Sequence, residues 1–365
     1  MSTAARLATA GEIGGRTVQI AEAGTVETVT YPLAALRDGQ VRVRTVCSAL
    51  SPGTEATFLG RDASNPYLRK RWNDGLRLFE AGEPALDYPV TFGYRAAGVV
   101  DESRHPDVPV GQRVYGNWRH TEFTAMPGER ALGQGIPADL GWDDAVDIAQ
   151  MGPIAVNAAA TAEGGAAGRP AIVFGAGPVG LLTAQVIRAD GADPVVIVDR
   201  SSGRLAIAEG LGLETQLAAP GTDVARVLKE RLGSDAIPIA WECTGSTQAL
   251  GEAIRVVRRR GTVIAVGFYQ GGAAALQLAD EFHHNAVAMV TAQIGNPIPP
   301  YDRALLQART LQLIRGGALV AGGLPRLTVP VDRAADGFAA LDRPDEVLQV
   351  ALSYPSAAGA LSEVE

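Results

Sequence analysis

The segment AIVFGAGPVGLLTAQVIRADGADPVVIVD, residues 171–199, decides the fold of this 365-residue chain. It begins with the apolar run AIVF and ends with the apolar run PVVIVD, each short enough for one buried strand. Between the two runs, apolar residues recur close to the helical period: Val179, Leu182, Val186 and Ala189. Strand, helix and strand within about 30 residues form a βαβ unit. Several such units pack into a parallel sheet covered by helices.

The turn between the first strand and the helix, GAGPVG, matches the GxGxxG pattern of a dinucleotide-binding turn. In that pattern the first glycine permits the tight turn, the second lets a pyrophosphate approach the backbone, and the third lets helix and strand pack closely. The N–H groups and the dipole of the helix start favour a diphosphate. The candidate cofactor site therefore includes all six residues of the turn: Gly175, Ala176, Gly177, Pro178, Val179 and Gly180.

Asp199 ends the second apolar run, about 20 residues beyond the last glycine, where such motifs carry an acidic residue for the adenosine ribose hydroxyls. A carboxylate there repels a 2′-phosphate, so it favours NAD(H) over NADP(H). Arg200 follows directly and could meet that phosphate, which leaves NADP(H) open.

The composition excludes several classes of protein. Hydrophobic residues make up 47% of the chain and charged residues 20%, as expected for a chain with a sizeable core. The net charge of −8 is a poor match to nucleic acids and to anionic membrane surfaces. Cys47 and Cys243 are too few for a four-thiolate zinc site. Because the sequence contains neither a signal-peptide core nor about 18 consecutive apolar residues, we expect a cytoplasmic protein.

The change in residue pattern along the chain predicts two domains. Alternation around Val41 and Val43 and short runs bounded by Gly and Pro make the first third β-rich, whereas the chain from Trp142 is helical, with a break expected at Pro153. The basic cluster at 69–71, in the polar segment 61–87, is interpreted either as a solvated helix face or as part of a lid. We expect a β-rich substrate domain at 1–153, completed by 297–365 with a frayed tail from 356, and a dinucleotide-binding domain at 154–296.

This order of segments resembles the medium-chain dehydrogenase/reductase superfamily over nearly the whole chain. The resemblance also rests on SGRLAIAEGLG (202–212), ECTGS (242–246), GTVIAVGF (261–268) and LTVPVDRAADGFAALD (327–342). It implies an α/β fold, with a Rossmann doubly wound parallel sheet beside a GroES-like β-rich catalytic domain. It further implies that Arg204 lies beside the adenosine ribose. Other residues would line the dinucleotide or flank its nicotinamide: Cys243, Thr244, Gly245, Val266, Gly267, Phe268, Ala292, Gln293 and Ile294.

Many members of that superfamily bind zinc, but the ligand positions differ here. Ser51 in SALSPGTE stands at the position of the first cysteine ligand, Tyr94 in GYRAAGVV replaces a histidine, and the third position falls near Met151. Serine, tyrosine and methionine are not a zinc set, so no metal is expected. ALSPGTE and TAQIGN (291–296) resemble segments of a zinc-lacking branch that includes bacteriochlorophyllide a dehydrogenase. The substrate of that branch is not implied.

Without zinc, another group must polarise or protonate the substrate oxygen. Tyr94 is the first candidate, Ser51 and Thr54 could relay a proton, and His120 could act as a general acid near neutral pH. Structural roles stay open for all four: a buried tyrosine, two turn-forming hydroxyls and a packing histidine. Glu55 could form an ion pair with the residue after Tyr94, Arg95.

Together these residues predict a zinc-independent oxidoreductase that transfers a hydride between NAD(H) and a carbonyl or secondary alcohol of a small molecule. Two alternatives stay open: a reductase of activated C=C bonds, and a dinucleotide-binding protein without catalysis. The apolar stretch AVAMVTAQI (286–294) predicts an uncovered edge strand, and the resemblance implies a homodimer joined there.

Overall fold

The computed structural model describes residues 14–60, 65–162, 165–270 and 272–354. Within these ranges, no helix combines the length and the apolar character that a membrane crossing requires. The predictions for the N-terminal segment and for the tail from residue 356 lie outside the described residues.

The chain begins with mainly β-strands, continues with strands and helices in alternation, and ends with two helices and two strands. The strands are β1 (Gly14–Glu22), β2 (Thr25–Pro32), β3 (Gln40–Ala49), β4 (Lys70–Asn73), β5 (Leu78–Ala81), β6 (Val90–Thr91), β7 (Ala96–Ser103), β8 (Arg113–Gly116), β9 (Phe123–Pro127), β10 (Ala171–Phe174), β11 (Val195–Asp199), β12 (Glu214–Leu217), β13 (Ile239–Glu242), β14 (Thr262–Ala265), β15 (Ala288–Thr291), β16 (Arg326–Pro330) and β17 (Gln349–Ser353). The α-helices are α1 (Gly128–Gly133), α2 (Trp142–Ala149), α3 (Met151–Ala160), α4 (Pro178–Ala189), α5 (Ser202–Gly210), α6 (Val224–Leu232), α7 (Thr247–Val256), α8 (Arg303–Arg315) and α9 (Ala334–Ala340).

Six parallel strands form one large sheet, in the order β12-β11-β10-β13-β14-β15. The side chains of strand β10 point alternately to the two faces of the sheet, and helices cover both faces. Val173 packs in the apolar cluster that includes residues of α4 and α8, and Ile172 packs in the cluster that includes residues of α6 and α7. Strands buried on both faces need continuous apolar runs such as AIVF. The strand order reverses between β10 and β13, and a sheet of this kind binds ligands outside the carboxyl ends of its strands at that point.

Strands from both ends of the chain form the second large sheet, in the order β16-β17-β3-β7-β8, with β9 also paired to β3. Strand β17 runs antiparallel to β3, which places Leu352 opposite Ser48. A smaller sheet, β2-β1-β6, shares a core with α9, in which Ile20 and Phe338 are buried. The C-terminal strands thus complete a β-rich unit that begins at the N-terminal end of the described chain.

These sheets confirm the predicted fold class: a Rossmann doubly wound parallel sheet with a separate GroES-like β-rich domain. The break between the helices after Trp142 lies at Gln150 and not, as predicted, at Pro153. Pro153 falls in the first turn of α3, where the missing N–H would have no partner within the helix. The domain division at residues 153 and 296 stays a prediction.

The basic cluster at 69–71 leads into a β-hairpin of β4 and β5, so its interpretation as a solvated helix face is wrong. Trp72 lies opposite Phe79 across the hairpin, and their ring centroids are 4.9 Å apart at a steep angle. Cross-strand aromatic pairs of this kind stabilise extended backbone. The alternative that this segment forms part of a lid stays a prediction.

Candidate functional site

The GAGPVG turn connects β10 to α4 with a geometry that requires its glycines. Gly175 has a φ of 101°, in the left-handed region. A Cβ on Gly180 would lie 1.7 Å from the carbonyl oxygen of Gly175, which no rearrangement short of moving the backbone could relieve. Gly177 caps α4, and Pro178 occupies the first helical position, where proline is favoured. The turn therefore leaves an open helix start at the carboxyl edge of the sheet, where a diphosphate would fit.

Asp199, at the end of β11, is hydrogen-bonded to the turn itself. Its Oδ2 accepts the N–H of Ala176 at 2.7 Å, and its Oδ1 accepts the N–H of Ser201 at 2.8 Å. Each carboxylate oxygen keeps acceptor capacity for a ribose hydroxyl, since an ionised carboxylate has about four lone-pair sites. The turn and the candidate ribose-binding carboxylate are thus held together as one unit.

The two arginines near Asp199 differ in how they are held. Arg204 is partly buried, its Nε donates to the carbonyl oxygen of Pro344 at 2.7 Å, and its guanidinium lies beside Gly177. Arg200 is exposed at the surface. Arg204 is therefore held beside the turn, whereas Arg200 lies at the surface.

The other candidate cofactor residues lie on loops that follow β13, β14 and β15. Because these strands are parallel, their carboxyl ends meet at the same edge of the sheet as the glycine turn. Ala292 is buried, and its carbonyl oxygen accepts the side-chain N–H of Asn157 at 3.1 Å. Phe268, Gln293 and Thr244 are exposed, and the remaining members are partly buried: Cys243, Gly245, Val266, Gly267 and Ile294. All of them thus converge on one edge.

Glu242, which no sequence motif marked as a site residue, is fully buried at the end of β13. Its carboxylate accepts the N–H of Thr244 at 2.7 Å and the N–H of Gly245 at 3.0 Å, and it also accepts hydroxyl hydrogen bonds. Its position could have drawn attention, since an acidic residue that ends an apolar strand before a glycine loop repeats the pattern of Asp199.

On the β-rich domain, the hydroxyls of Ser51 and Thr54 lie beside the hydroxyl of Tyr94 and act to lower its pKa. Burial, and secondarily the negative charge of Glu55, raises the pKa of Tyr94 to about 12. Tyr94 therefore stays protonated at neutral pH and can donate to a substrate oxygen. Sequence reasoning named these three residues separately, and the fold brings them together.

His120 lies next to this group but is fully buried. Its Nδ1 is 2.8 Å from the hydroxyl of Ser48, and its Nε2 is 3.2 Å from Oε2 of Glu55. The same oxygen of Glu55 accepts the N–H of Ser51 at 2.8 Å. His120 therefore contacts the loop that carries Ser51, and any influence on a substrate has to pass through that loop.

Glu55 pairs with His120 and not with Arg95, so the ion pair considered from the sequence is wrong. Arg95 is buried, its Nη1 lies 3.5 Å from Asp147, and its Nη2 donates to Gln349 at 2.9 Å. Asp147 also binds Arg326 at 2.8 Å. Tyr94 and Arg95 lie in the segment between β6 and β7, and the Arg95 side chain is directed to Asp147 and Gln349.

The three positions that resemble a zinc site do not fit zinc. Ser51 and Tyr94 offer neutral hydroxyls, and Met151 is buried in the apolar cluster against which Tyr94 packs. Zinc in proteins is held by thiolate, imidazole and carboxylate groups. In the part of the chain that the structure describes, no three His, Cys, Asp or Glu side chains are grouped to hold a metal ion.

One side-chain hydrogen bond joins the two halves of the candidate site. Nε2 of Gln270, on the loop after β14, donates to the carbonyl oxygen of Gly53 at 2.9 Å. Gly53 lies between Ser51 and Thr54. The carboxyl edge of the parallel sheet, where the candidate cofactor residues lie, therefore contacts the loop that carries Ser51 and Thr54.

Comparisons with known proteins agree with this geometry. Residues 178–307 match the family model of the zinc-binding dehydrogenases. The D-guloside 3-dehydrogenase of Escherichia coli (strain K12) is 27% identical over 75% of this chain and 80% of its own length. The L-galactonate-5-dehydrogenase of the same organism is 33% identical over 48% of this chain and 50% of its own length.

A solved structure with the same fold is 2R,3R-butanediol dehydrogenase from Bacillus subtilis, which is 20% identical. It covers 93% of this chain and 99% of its own, with a TM-score of 0.73. From the family model, the relatives and the site at the carboxyl edge of the parallel sheet, we conclude that the chain is an NAD(P)-dependent oxidoreductase, similar over residues 178–307 to the zinc-binding dehydrogenases.

Proposed function

We propose that this enzyme transfers a hydride between NAD(H) and a carbonyl or secondary-alcohol group, without zinc, in the cleft between its two domains. The observation that carries the proposal is that Tyr94, at a position that resembles a zinc-ligand position of the superfamily, lies beside Ser51 and Thr54 and keeps its proton at neutral pH. A phenol that stays protonated can take the place of a metal ion in polarising the substrate oxygen.

In the direction of reduction, the O–H of Tyr94 donates a hydrogen bond to the carbonyl oxygen. When bound, NADH supplies the hydride that converts the carbonyl carbon to an alcohol carbon. As negative charge develops on the oxygen, Tyr94 gives up its proton, and the hydroxyls of Ser51 and Thr54 stabilise the phenolate and return a proton from water. The oxidation of an alcohol uses the same groups in reverse order.

For the cofactor, we propose NAD(H) in preference to NADP(H). Asp199 supports this preference because a 2′-phosphate would have to lie against its carboxylate, which the turn already fixes in place. Arg204 would lie beside the adenosine ribose. The loops after β13, β14 and β15 would take the nicotinamide half, because Asp199 on β11 marks the adenosine half.

For the substrate, we propose a secondary alcohol of a polyhydroxylated compound, or the matching ketone. Support comes from relatives named as dehydrogenases of D-guloside, L-galactonate and L-arabinitol. We expect the enzyme to act in the cytoplasm, without nucleic acid or membrane partners.

We also propose a homodimer joined at β15. This strand forms the edge of the parallel sheet, and all four of its residues are exposed. An exposed apolar edge strand favours pairing with another strand.

A substrate panel tests the proposed function. NADH should appear with polyols and be consumed with ketones, while enones should leave it unchanged. Turnover of enones alone would replace the proposal with C=C reduction. NADH binding without turnover of any compound would indicate a protein that binds the dinucleotide without catalysis.

A further inference from the structure

Glu242 forms hydrogen bonds with two of the loops at the nicotinamide side of the proposed site. One of its carboxylate oxygens accepts both the N–H and the hydroxyl of Thr244, and the other accepts the N–H of Gly245 and the hydroxyl of Tyr269. Its main-chain carbonyl oxygen accepts the N–H groups of Val266 and Gly267 at 2.8 and 2.9 Å. A single buried residue thus binds the loop after β13 and the loop after β14.

The two loops also touch backbone to backbone, which leaves no room for independent movement. A Cβ on Gly267 would lie 2.2 Å from the nitrogen of Gly245 and 2.9 Å from Oε2 of Glu242. Gly245 has a φ of 73°, and a Cβ there would lie 2.8 Å from the carbonyl oxygen of Phe268. Any shift of the carboxylate would therefore displace both loops.

A carboxylate suits this position because every group around it is a donor. Its four hydrogen bonds come from two backbone N–H groups and two hydroxyls, and an ionised carboxylate only accepts. Burial and the adjacent charge of Glu242 raise the pKa of Tyr269, which keeps the hydroxyl of Tyr269 protonated as a donor. The amide of a glutamine would turn an N–H group toward at least one of these donors.

Tyr269 extends this network to the β-rich domain. It immediately precedes Gln270, whose side chain donates to the carbonyl oxygen of Gly53. Gly53 belongs to the loop that carries Ser51 and Thr54. The carboxylate below the cofactor loops is thus connected to the group that is proposed to protonate the substrate.

We propose that Glu242 and Tyr269 are positioning residues for hydride transfer, which hold the two loops beside the nicotinamide in register with the loop of Ser51 and Thr54. This proposal rests on the function proposed above. The adenosine half, held by the glycine turn and Asp199, does not depend on these two residues. Loss of the network should therefore impair turnover much more than dinucleotide binding.

Two variants and one control test this role: Tyr269→Phe, Glu242→Gln, and Glu230→Gln, which changes an exposed carboxylate on α6. For each, we would measure kcat, KM and the dissociation constants of NADH and of ADP-ribose, which lacks the nicotinamide. The fluorescence of bound NADH reports the surroundings of its nicotinamide. Both site variants should lower kcat by about 10- to 100-fold, since misplacement by about 1 Å can cost that much. They should also change the NADH emission, while ADP-ribose binding stays within about threefold of the wild type.

The possible outcomes separate the two proposals. Wild-type protein that transfers no hydride with any substrate would overturn the function itself. Active wild-type protein with unchanged kcat and NADH emission in Tyr269→Phe would overturn only the positioning role, as would an equal loss of ADP-ribose binding. If Glu242→Gln fails to fold, Tyr269→Phe decides, because it removes a single oxygen atom.

Discussion

The surroundings of Tyr94 determine when its hydroxyl group gives up a proton. Burial and the nearby charge of Glu55 raise the pKa of Tyr94 to about 12, so its phenol holds the proton until a stronger base appears beside it. The alkoxide that develops during carbonyl reduction is such a base. The neighbouring hydroxyls of Ser51 and Thr54 then lower the free energy of the deprotonated Tyr94 by donating hydrogen bonds to it.

We predict that Tyr94→Phe lowers kcat by at least about 100-fold, as general acid catalysis contributes roughly 10²–10⁴-fold. The loss should be the same from about pH 6 to pH 10, because a group with a pKa of about 12 does not titrate in that range. NADH titration should show nearly unchanged affinity. Tyr88→Phe, which removes a hydroxyl bonded to the carbonyl of Phe58, serves as control. Near-normal turnover of Tyr94→Phe would assign Tyr94 to packing.

Asp199 is expected to decide the cofactor. We predict that Asp199→Ser shifts the ratio of NADH to NADPH affinity by about 5- to 160-fold toward NADPH, as burying a phosphate against a carboxylate costs about 1–3 kcal/mol. Absolute NADH affinity should also fall, since Ala176 and Ser201 lose their acceptor. Competitive fluorescence titration measures both constants. Equal or tighter binding of NADPH by the unmodified protein would show that Arg200 outweighs Asp199.

At the scale of elements, the fingerprint turn depends on the contact between Gly180 and Gly175. We predict that Gly180→Ala abolishes measurable NADH binding, since the new Cβ would lie 1.7 Å from a carbonyl oxygen. Gly210→Ala, at the end of α5, is the matched control, because nothing lies within 4 Å of a Cβ there. Calorimetric titration with NADH compares the two variants. Normal affinity in Gly180→Ala would contradict the assigned role of the turn.

Elements with strong local periodicity could be predicted from the sequence. Strand β10, helix α4 and strand β11 lie where the apolar patterns put them. The β4–β5 hairpin could not be predicted, because its residues are largely exposed and its stability comes from the Trp72–Phe79 pair. A periodic pattern of apolar residues arises when one face of an element is buried. The side chains of β4 and β5 are mostly exposed, so these strands have no such pattern.

Contacts between distant residues explain what the sequence left open at the site. Glu55 and His120 are 65 positions apart, and neither their pairing nor the burial of His120 has a local signal. The charge pattern instead suggested the partner nearer in sequence, Arg95, which pairs with Asp147. The glycine turn and Asp199 do carry a local signal, because one βαβ unit contains both, whereas the loops after β13, β14 and β15 were expected from the resemblance alone.

At the scale of the whole molecule, the exposed edge strand β15 predicts assembly. Light scattering at micromolar concentration should give twice the chain mass of 37.9 kDa. Val290→Lys should shift the protein toward the single-chain mass, because a charge on an edge strand blocks strand pairing. Leu217→Lys, on the opposite edge strand β12, is the control, as the two side chains are similarly exposed at 41% and 40%. A mass near 38 kDa for the unmodified protein would rule out the dimer.

The central claim joins the dinucleotide site of the parallel sheet to a metal-free proton donor on the β-rich domain. The zinc content of catalytically active protein tests it most directly, measured by elemental analysis together with turnover before and after treatment with a strong chelator. We expect no stoichiometric zinc and unchanged turnover. About one zinc per chain, with activity lost on its removal and restored on its return, would contradict the account.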